Sequence, residues 1–213
     1  MEMQGRHREG INLVEQSIRH WPGGSNILHH LSWHRALFHL EQHEFDAVLD
    51  LYDREFRNPA SPLTRAVPDL YIDVQNAASM LFRLERHGVN VGDRWMELAD
   101  HAETRIGDCL SAFTLPHWMM SLAATDRAGA ASKMLISMRS FGEGDGTVAK
   151  IVGEVAVPVC EAVLAHHRGD DGHVVDLMLP VIEKMHVLGG SHAQQDVLVQ
   201  MAAQSAAKAK RRT

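Results

Sequence analysis

A short unit of two helices joined by a tight turn recurs along this chain. The plainest copy spans residues 26–57, where HHLSWHRALFHLEQ precedes the turn His43–Glu44 and FDAVLDLYDREF follows it. In both strings the apolar residues recur at the spacing of an amphipathic helix. A turn this short forces the two helices to run antiparallel. The chain is therefore predicted to be all-α and built from helical hairpins.

Helical spacing of apolar residues extends over almost the whole chain, and no segment keeps the period of two that is typical of a strand. Glycines fall where helices should end, and Asp, Ser or Asn fall where the next ones should begin. We predict about ten helices on this pattern. They are expected over residues 6–20, 26–42, 44–57, 68–88, 93–107, 112–128, 130–141, 147–168, 171–188 and 191–209.

Residues 36–52 have the spacing of a tetratricopeptide unit. Small Ala36 lets the first helix approach the second, while the aromatic ring of Phe45 fills the wedge between successive hairpins. The other positions that fit are Leu37, Leu40, Val48, Leu49 and Tyr52. The pattern predicts a right-handed solenoid of tetratricopeptide-like hairpins, with a single domain over residues 1–210 and a basic tail over residues 207–213.

Charge and cysteine usage restrict the partners and the compartment. The 213 residues carry a net charge of −6, which argues against a general nucleic-acid binder. No apolar run approaches the roughly 20 residues of a membrane helix, and the N-terminus lacks a signal peptide. Cys109 and Cys160 lie too far apart for a zinc or redox motif. We expect a cytoplasmic protein without nucleic-acid or membrane partners, and without a metal or cofactor.

Three strings carry a resemblance to a known family: HLSWHRALFHLE, NAASMLFRLERHGVNVGDRW and LGGSHAQQDV. Together they resemble the tetratricopeptide repeat protein 38 family, in the same order and over nearly the whole chain. The resemblance implies a right-handed array of helical hairpins and a longer chain, of which this one corresponds to the C-terminal half. Without the preceding repeats, Ile11, Leu13, Val14 and Ile18 would lack a cover. We therefore expect a homodimer through the N-terminal hairpin.

Histidines crowd the first complete hairpin of a chain that has 15 of them. His30 and His34 are four residues apart and project from one helix face, with Trp33 beside them. Helical zinc sites use this spacing, but they need a third ligand, and no HExxH motif occurs because position 31 is leucine. The sequence favours hydrogen-bonded histidines at a helix interface over a bound metal.

Other candidate residues fall in the first helices of later hairpins. They are Asp73, His117, His192, Gln195 and Asp196. In a right-handed hairpin solenoid the first helices line the concave surface, so residues remote in sequence can converge there. The register therefore predicts one groove that these residues share with His30, Trp33 and His34.

The start of the last predicted helix has two interpretations. His192 and Asp196 have the spacing of a general base oriented by a carboxylate, and Gln195 offers an amide to a polar ligand. Alternatively, Ser191 caps the helix, and the three side chains satisfy backbone groups at the joint between hairpins.

The function predicted from these features is a non-catalytic helical-repeat module. It would bind a protein or peptide partner in a groove lined by the His, Trp and Asp residues named above. The alternative is a small-molecule enzyme or ligand receptor that uses the same His/Asp cluster, since titratable groups occur where a solenoid needs only apolar contacts. No Walker loop, GxGxxG, GxSxG or Cys–His nucleophile motif favours a particular reaction.

Overall fold

All regular secondary structure in the computed structural model is helical, over the residues that it describes, 4–18, 20 and 26–212. The predicted all-α class is confirmed. Residues 1–3 of the predicted domain, the predicted turn at 22–25 and Thr213 of the predicted tail lie outside the described residues. The backbone divides into two compact units, Met1–Gly92 and Asp93–Thr213, and the single domain over residues 1–210 stays a prediction.

The first unit is organised around its second helix. Helices α1, α2 and α3 span His7–Ile18, Ile27–Leu40 and Phe45–Leu51, and a π-helical turn, Tyr52–Phe56, continues α3. Helices α4 and α5 span Pro62–Ala66 and Tyr71–Arg86. Helix α2 packs against α1, α3 and α5; its residues Trp33 and Leu37 are buried, as are Phe56 of the π-helical turn and Leu81 of α5. Helix α2 therefore lies at the centre of this unit, with neighbours on several sides.

The second unit has α10 at its centre. Helices α6, α7 and α8 span Arg94–Thr104, Thr114–Ala124 and Ala128–Gly142. Helix α9, Thr147–Ile151, runs through a π-helical turn, Val152–Ala156, into α10, Val157–His167. Helix α11, a 3₁₀ helix and α12 follow at Asp171–Met178, Ile182–Leu188 and His192–Arg212. Helix α10 packs against α7, α8, α11 and α12, which makes it the counterpart of α2 in the first unit.

One turn geometry recurs wherever the first helix of a predicted hairpin passes into the second. In each case a residue with positive φ follows the first helix, and the next N–H donates to the carbonyl five residues back, which is the Schellman motif. The residues with positive φ are His43, Gly88, Asp126 and Gly169, with φ of 59°, 77°, 54° and 73°. The hydrogen bonds run from Glu44 to His39, Val89 to Leu84, Arg127 to Leu122 and Asp170 to Ala165, at 3.0, 3.1, 2.9 and 2.9 Å.

One predicted helix is interrupted in the structure, and one short helix was not predicted. The predicted helix over 171–188 is interrupted after Met178, because Pro180 has no N–H to continue the helical hydrogen bonds. The short helix α4 was not predicted, since a single turn is too short to show periodicity. Its signal is Pro62 in the first turn, where the missing N–H costs nothing.

Candidate functional site

The first unit contains a pocket of about 710 Å³ between α1, α2, the π-helical turn and α4. We call it the first-unit pocket. Its lining residues are Glu15, Ile18, Leu28, His29, Ser32, Arg35, Glu55, Ser61, Pro62 and Leu63. Three of its polar side chains, those of His29, Ser32 and Arg35, come from α2 at intervals of three residues, which places them along one side of the helix.

A charge network crosses the pocket. The Arg35 guanidinium lies between two carboxylates, with Nη2 2.7 Å from Oε1 of Glu15 and Nη1 3.2 Å from Oε1 of Glu55. The Ser32 hydroxyl donates to the other oxygen of Glu55 at 2.7 Å. The network therefore joins α1, α2 and the π-helical turn, and it uses one cation for two anions.

A buried histidine–aspartate pair extends the polar wall towards α5. Nδ1 of His29 lies 3.0 Å from Oδ2 of Asp73, and the two side chains are only 7% and 3% exposed. Because a carboxylate can only accept, Nδ1 carries the proton and donates to Asp73 when the ring is neutral. This leaves Nε2 as the acceptor of the ring. Since His29 lines the pocket, the wall includes an imidazole ring whose tautomer is set by a carboxylate.

The predicted residues of α2 form an aromatic cluster beside this pair. The His30 and Trp33 rings stack at a centroid distance of 5.4 Å, and His34 meets them edge-on at 4.7 and 4.9 Å. Asn76 of α5 donates from Nδ2 to Nδ1 of His30 at 3.2 Å. Trp33 is fully buried, so its indole belongs to the core of the unit.

Protonation of His30 is disfavoured in the folded protein. Burial lowers the pKa of His30, and the neighbouring His34 lowers it further, while the charge of Asp73 acts in the opposite direction. A neutral His30 can accept the hydrogen bond from Asn76, because one of its nitrogens then carries a lone pair. Asn76 therefore fixes the ring between α2 and α5.

The remaining predicted residues lie in the second unit. His117 of α7 is fully buried, and its Nδ1 lies 2.8 Å from the carbonyl oxygen of Phe113, to which it donates. Gln195 of α12 donates from Nε2 to the carbonyls of Gly189 and Gly190 at 2.9 and 3.3 Å. A Cβ on Gly190 would come within 2.6 Å of the Phe113 ring. His117 and Gln195 thus support adjoining parts of the backbone.

The start of α12 has the geometry of a capping box. The backbone N–H of Ser191 donates to the Gln194 side chain at 3.0 Å, and the N–H of Gln194 approaches the Ser191 hydroxyl at 3.4 Å. Asp196 accepts a hydrogen bond from Gln200, and His192 is exposed at the first position of the helix. Ser191 and Gln195 thus make the contacts described by the structural alternative for this segment.

The structure therefore gathers a set of residues that sequence reasoning overlooked. Of the predicted residues, His30, Trp33 and His34 lie together, and Asp73 joins the pocket only through His29. The overlooked lining residues are Glu15, His29, Ser32, Arg35 and Glu55. The sequence marks these residues only by the row of polar side chains along one side of α2. Polar side chains on a helix that packs against several neighbours are costly to bury unless they are hydrogen-bonded.

No protein-family model matches this chain. No solved structure matches it either. Within the described part of the chain, no group of three or more His, Cys, Asp or Glu side chains is arranged to hold a metal ion. None of the described helices combines the length and apolar character that crossing a bilayer requires.

Proposed function

We propose that this chain is a tetratricopeptide-like helical-repeat module, related to the tetratricopeptide repeat protein 38 family, that binds a segment of a partner protein. The repeated hairpin turn supports the repeat architecture, because the same ending occurs at all four described turns, whereas only about a third to a half of helices in general end this way. Helix contacts support it further: α2 packs on α5 in the first unit, and α7 and α12 pack on α10 in the second. These are contacts between first helices of hairpins, as a right-handed solenoid requires.

The observation that carries the binding function is the first-unit pocket. Its volume lies within the range of about 300–1,000 Å³ that is usual for ligand sites, and its walls combine apolar side chains with a few fixed polar groups. The partner segment would contact Arg35, Glu55 and His29, the last of which is oriented by Asp73. The wider groove that includes His117, His192, Gln195 and Asp196 stays a prediction.

Peptide selection tests the proposal. We expect a random peptide library displayed on phage to yield sequences that bind the protein with micromolar Kd, as measured with synthetic peptides by calorimetry. Replacement Leu63→Trp should weaken that binding at least about tenfold, because Leu63 lies at the pocket wall and is 36% exposed, so the larger ring can fill the pocket.

The matched control is Leu110→Trp in the second unit. Leu110 is 82% exposed and lies outside the pocket, so this variant should bind like the unaltered protein. Selected peptides that bind both variants equally well would contradict the pocket as the binding site. Failure of the selection to enrich any peptide would contradict the function.

The proposal includes a homodimer formed through the N-terminal hairpin. Leu13 supports it, being 51% exposed on α1, whereas Ile11 and Val14 pack against Phe38 within the unit. We expect sedimentation equilibrium to detect a dimer that Leu13→Lys converts to a monomer. A monomer at every concentration of the unaltered protein would remove this part of the proposal.

We also propose a cytoplasmic location. Cys109 and Cys160 are free and buried, as thiols in a reducing compartment usually are. Burial raises the pKa of both thiols, that of Cys160 strongly, so both remain protonated and unreactive near neutral pH.

The second candidate function is a small-molecule enzyme or receptor. The observation that favours it is the buried pair of His29 and Asp73, because a carboxylate that orients an imidazole in a pocket is a common arrangement for a general base. A thermal-shift screen against a metabolite panel separates the two functions. A compound that stabilises the unaltered protein but not the Leu63→Trp variant would favour the second candidate over peptide binding.

A further inference from the structure

We infer that the first-unit pocket accepts the side chain of a lysine or arginine that the partner segment presents. This inference deepens the proposed function and rests on it. It identifies the chemistry of the ligand from three features of the pocket: its spare hydrogen-bonding capacity, its charge and its apolar wall.

Several donors of the pocket are engaged within it, the Nε–H of Arg35 is buried without a partner, and acceptors are available to a ligand. The Ser32 hydroxyl already donates to Glu55, and the Arg35 guanidinium already donates to Glu15 and Glu55. His29 uses its Nδ1–H for Asp73. The acceptors that remain are Nε2 of His29 and the second carboxylate oxygen of Glu15. A ligand that satisfies them must bring N–H donors.

His29 is a further acceptor at the pocket, and it is more buried than the two glutamates. It is only 5% exposed, yet it lines the pocket, and among the described residues its Nε2 has no hydrogen-bond partner. A donor placed in the pocket by a ligand could form a hydrogen bond with this nitrogen.

The charges of the pocket favour a cation. Among the described lining residues, Glu15 and Glu55 carry two negative charges against one positive charge on Arg35, and Asp73 pairs with His29. An anionic ligand would have to compete with both glutamates for Arg35 and would meet their repulsion. An ammonium or guanidinium group instead neutralises the excess negative charge.

The apolar side chains suit the stem of such a residue. Among the described lining residues, the apolar ones are Ile18, Leu28, Pro62 and Leu63. Lysine and arginine carry an aliphatic stem that packs on apolar surface while the charged end reaches polar groups. The volume of about 710 Å³ exceeds what one side chain fills, which leaves room for the flanking residues of a polypeptide.

A nuclear magnetic resonance titration with small probes tests the inference. The probes are N-acetyl-lysine amide, N-acetyl-arginine amide and N-acetyl-norleucine amide, the last having a similar stem without a charge. We expect the lysine and arginine probes to shift the methyl resonances of Ile18, Leu28 and Leu63, and not those of Leu110 or Ile136 in the second unit. The norleucine probe should bind at least about tenfold more weakly.

Two variants with the same change of charge sharpen the test. Glu15→Gln keeps the shape of the side chain but removes one pocket charge, so the Kd of the lysine probe should rise about three- to tenfold. Glu41→Gln removes an exposed charge beyond the end of α2, outside the pocket, and should leave the Kd within about twofold. Circular dichroism of both variants establishes that they fold.

Three outcomes would overturn the inference. Equal binding of the norleucine probe would mean that the pocket selects an apolar side chain, and absence of any shift at the pocket methyls would mean that it takes neither. Tighter binding of n-butylamine than of the lysine probe would point to a small amine instead of a polypeptide. The proposed function fails separately, when selected peptides do not depend on Leu63.

Discussion

The pair of His29 and Asp73 is the most consequential contact at the scale of single residues. It joins α2 to α5 through two side chains that are almost completely buried, and it orients the ring that lines the pocket. Removing one member of a buried pair leaves the other buried without a partner. This lowers stability more than replacing both members by apolar side chains does. Stability and site geometry therefore depend on the same two residues.

Replacing Asp73 tests this dependence. We expect Asp73→Ala to lower the free energy of unfolding by about 3 kcal/mol, because it leaves His29 buried and unpaired. The exposed ion pair between Asp50 and Arg54 provides the control, and Asp50→Ala should cost less than about 1 kcal/mol. Urea unfolding followed by circular dichroism measures both.

A double-mutant cycle separates the pair from its surroundings. His29→Ala combined with Asp73→Ala should be less destabilising than the sum of the single changes, by about 1–3 kcal/mol. Strict additivity of the two changes would mean that the pair contributes nothing beyond the packing of each side chain.

The lowered pKa of His30 predicts a loss of stability in acid. As pH falls below the ordinary histidine value of about 6.5, the unfolded chain takes up a proton at this position before the folded protein does. Stability should therefore decline through the interval between that value and the folded pKa, and His30→Gln should make the decline smaller. Burial also lowers the pKa of His87, beside His43, which predicts a remaining decline in the variant.

Urea unfolding at pH 7.5 and pH 5.5 measures this effect in both proteins. A comparison of pH 7.5 with pH 8.5 is the control, since His30 is then neutral whether the chain is folded or not. An identical acid decline in the unaltered protein and in His30→Gln would contradict the role given to His30.

The candidate site could be predicted only in part. Asp73, His30 and His34 were predicted because they are polar residues on apolar helix faces, and of these Asp73 pairs with the lining residue His29. His29 was not separated from the other histidines of its hairpin, because neighbours one residue apart differ by 100° around a helix and sequence alone does not say which face is the pocket. Glu15 and Glu55 meet Arg35 only through tertiary packing, so no local pattern marks them.

At the scale of elements, the same turn joins one helix to the next at four places in the chain. Most helices were predictable because apolar periodicity extends through them, and the four methionines at 119, 120, 134 and 138 are buried as their spacing indicates. The turn itself was only half visible in the sequence. Gly88 and Gly169 mark two of the four copies, whereas His43 and Asp126 adopt the same left-handed conformation without being glycine.

Two glycines of one hairpin differ in whether the turn requires a positive φ at their position. Gly169 has φ of +73° and open space around it, so Gly169→Ala should cost about 1 kcal/mol through backbone strain alone. Gly172, at the start of α11, also has open space but no positive φ, so Gly172→Ala should be neutral or stabilise by up to about 1 kcal/mol. Thermal unfolding of the two variants compares them directly, and a similar change in Tm for both would refute the role of the turn.

The whole molecule consists of two units, each with its own buried core. The sequence did not indicate the division, because helical periodicity continues through both units and the segment around Gly92 has the same turn chemistry as the connections within them. Trp118, Met119 and Leu122 of α7 are buried, and α7 packs against α6, α8 and α10 of the second unit. A core of this kind is what independent folding needs.

We therefore expect the fragment 93–213 to retain its helicity and to unfold cooperatively in urea. The control fragment, 125–213, lacks α6 and α7 and with them the surface against which α10 packs, so it should lose most of its helical signal. Circular dichroism of the two fragments decides the matter. A largely unfolded 93–213 would mean that the second unit does not fold without the first.

Helix α4 shows how such an architecture can acquire a new specificity during evolution. It lies in the connection between one hairpin and the next, where additional residues leave the hairpin turns untouched, and it supplies Pro62 and Leu63 to the pocket wall. Insertions and deletions survive selection most readily in connections of this kind. A lineage can therefore exchange one ligand for another by changing the length of this segment, while the helices that carry His29 and Arg35 are inherited unchanged.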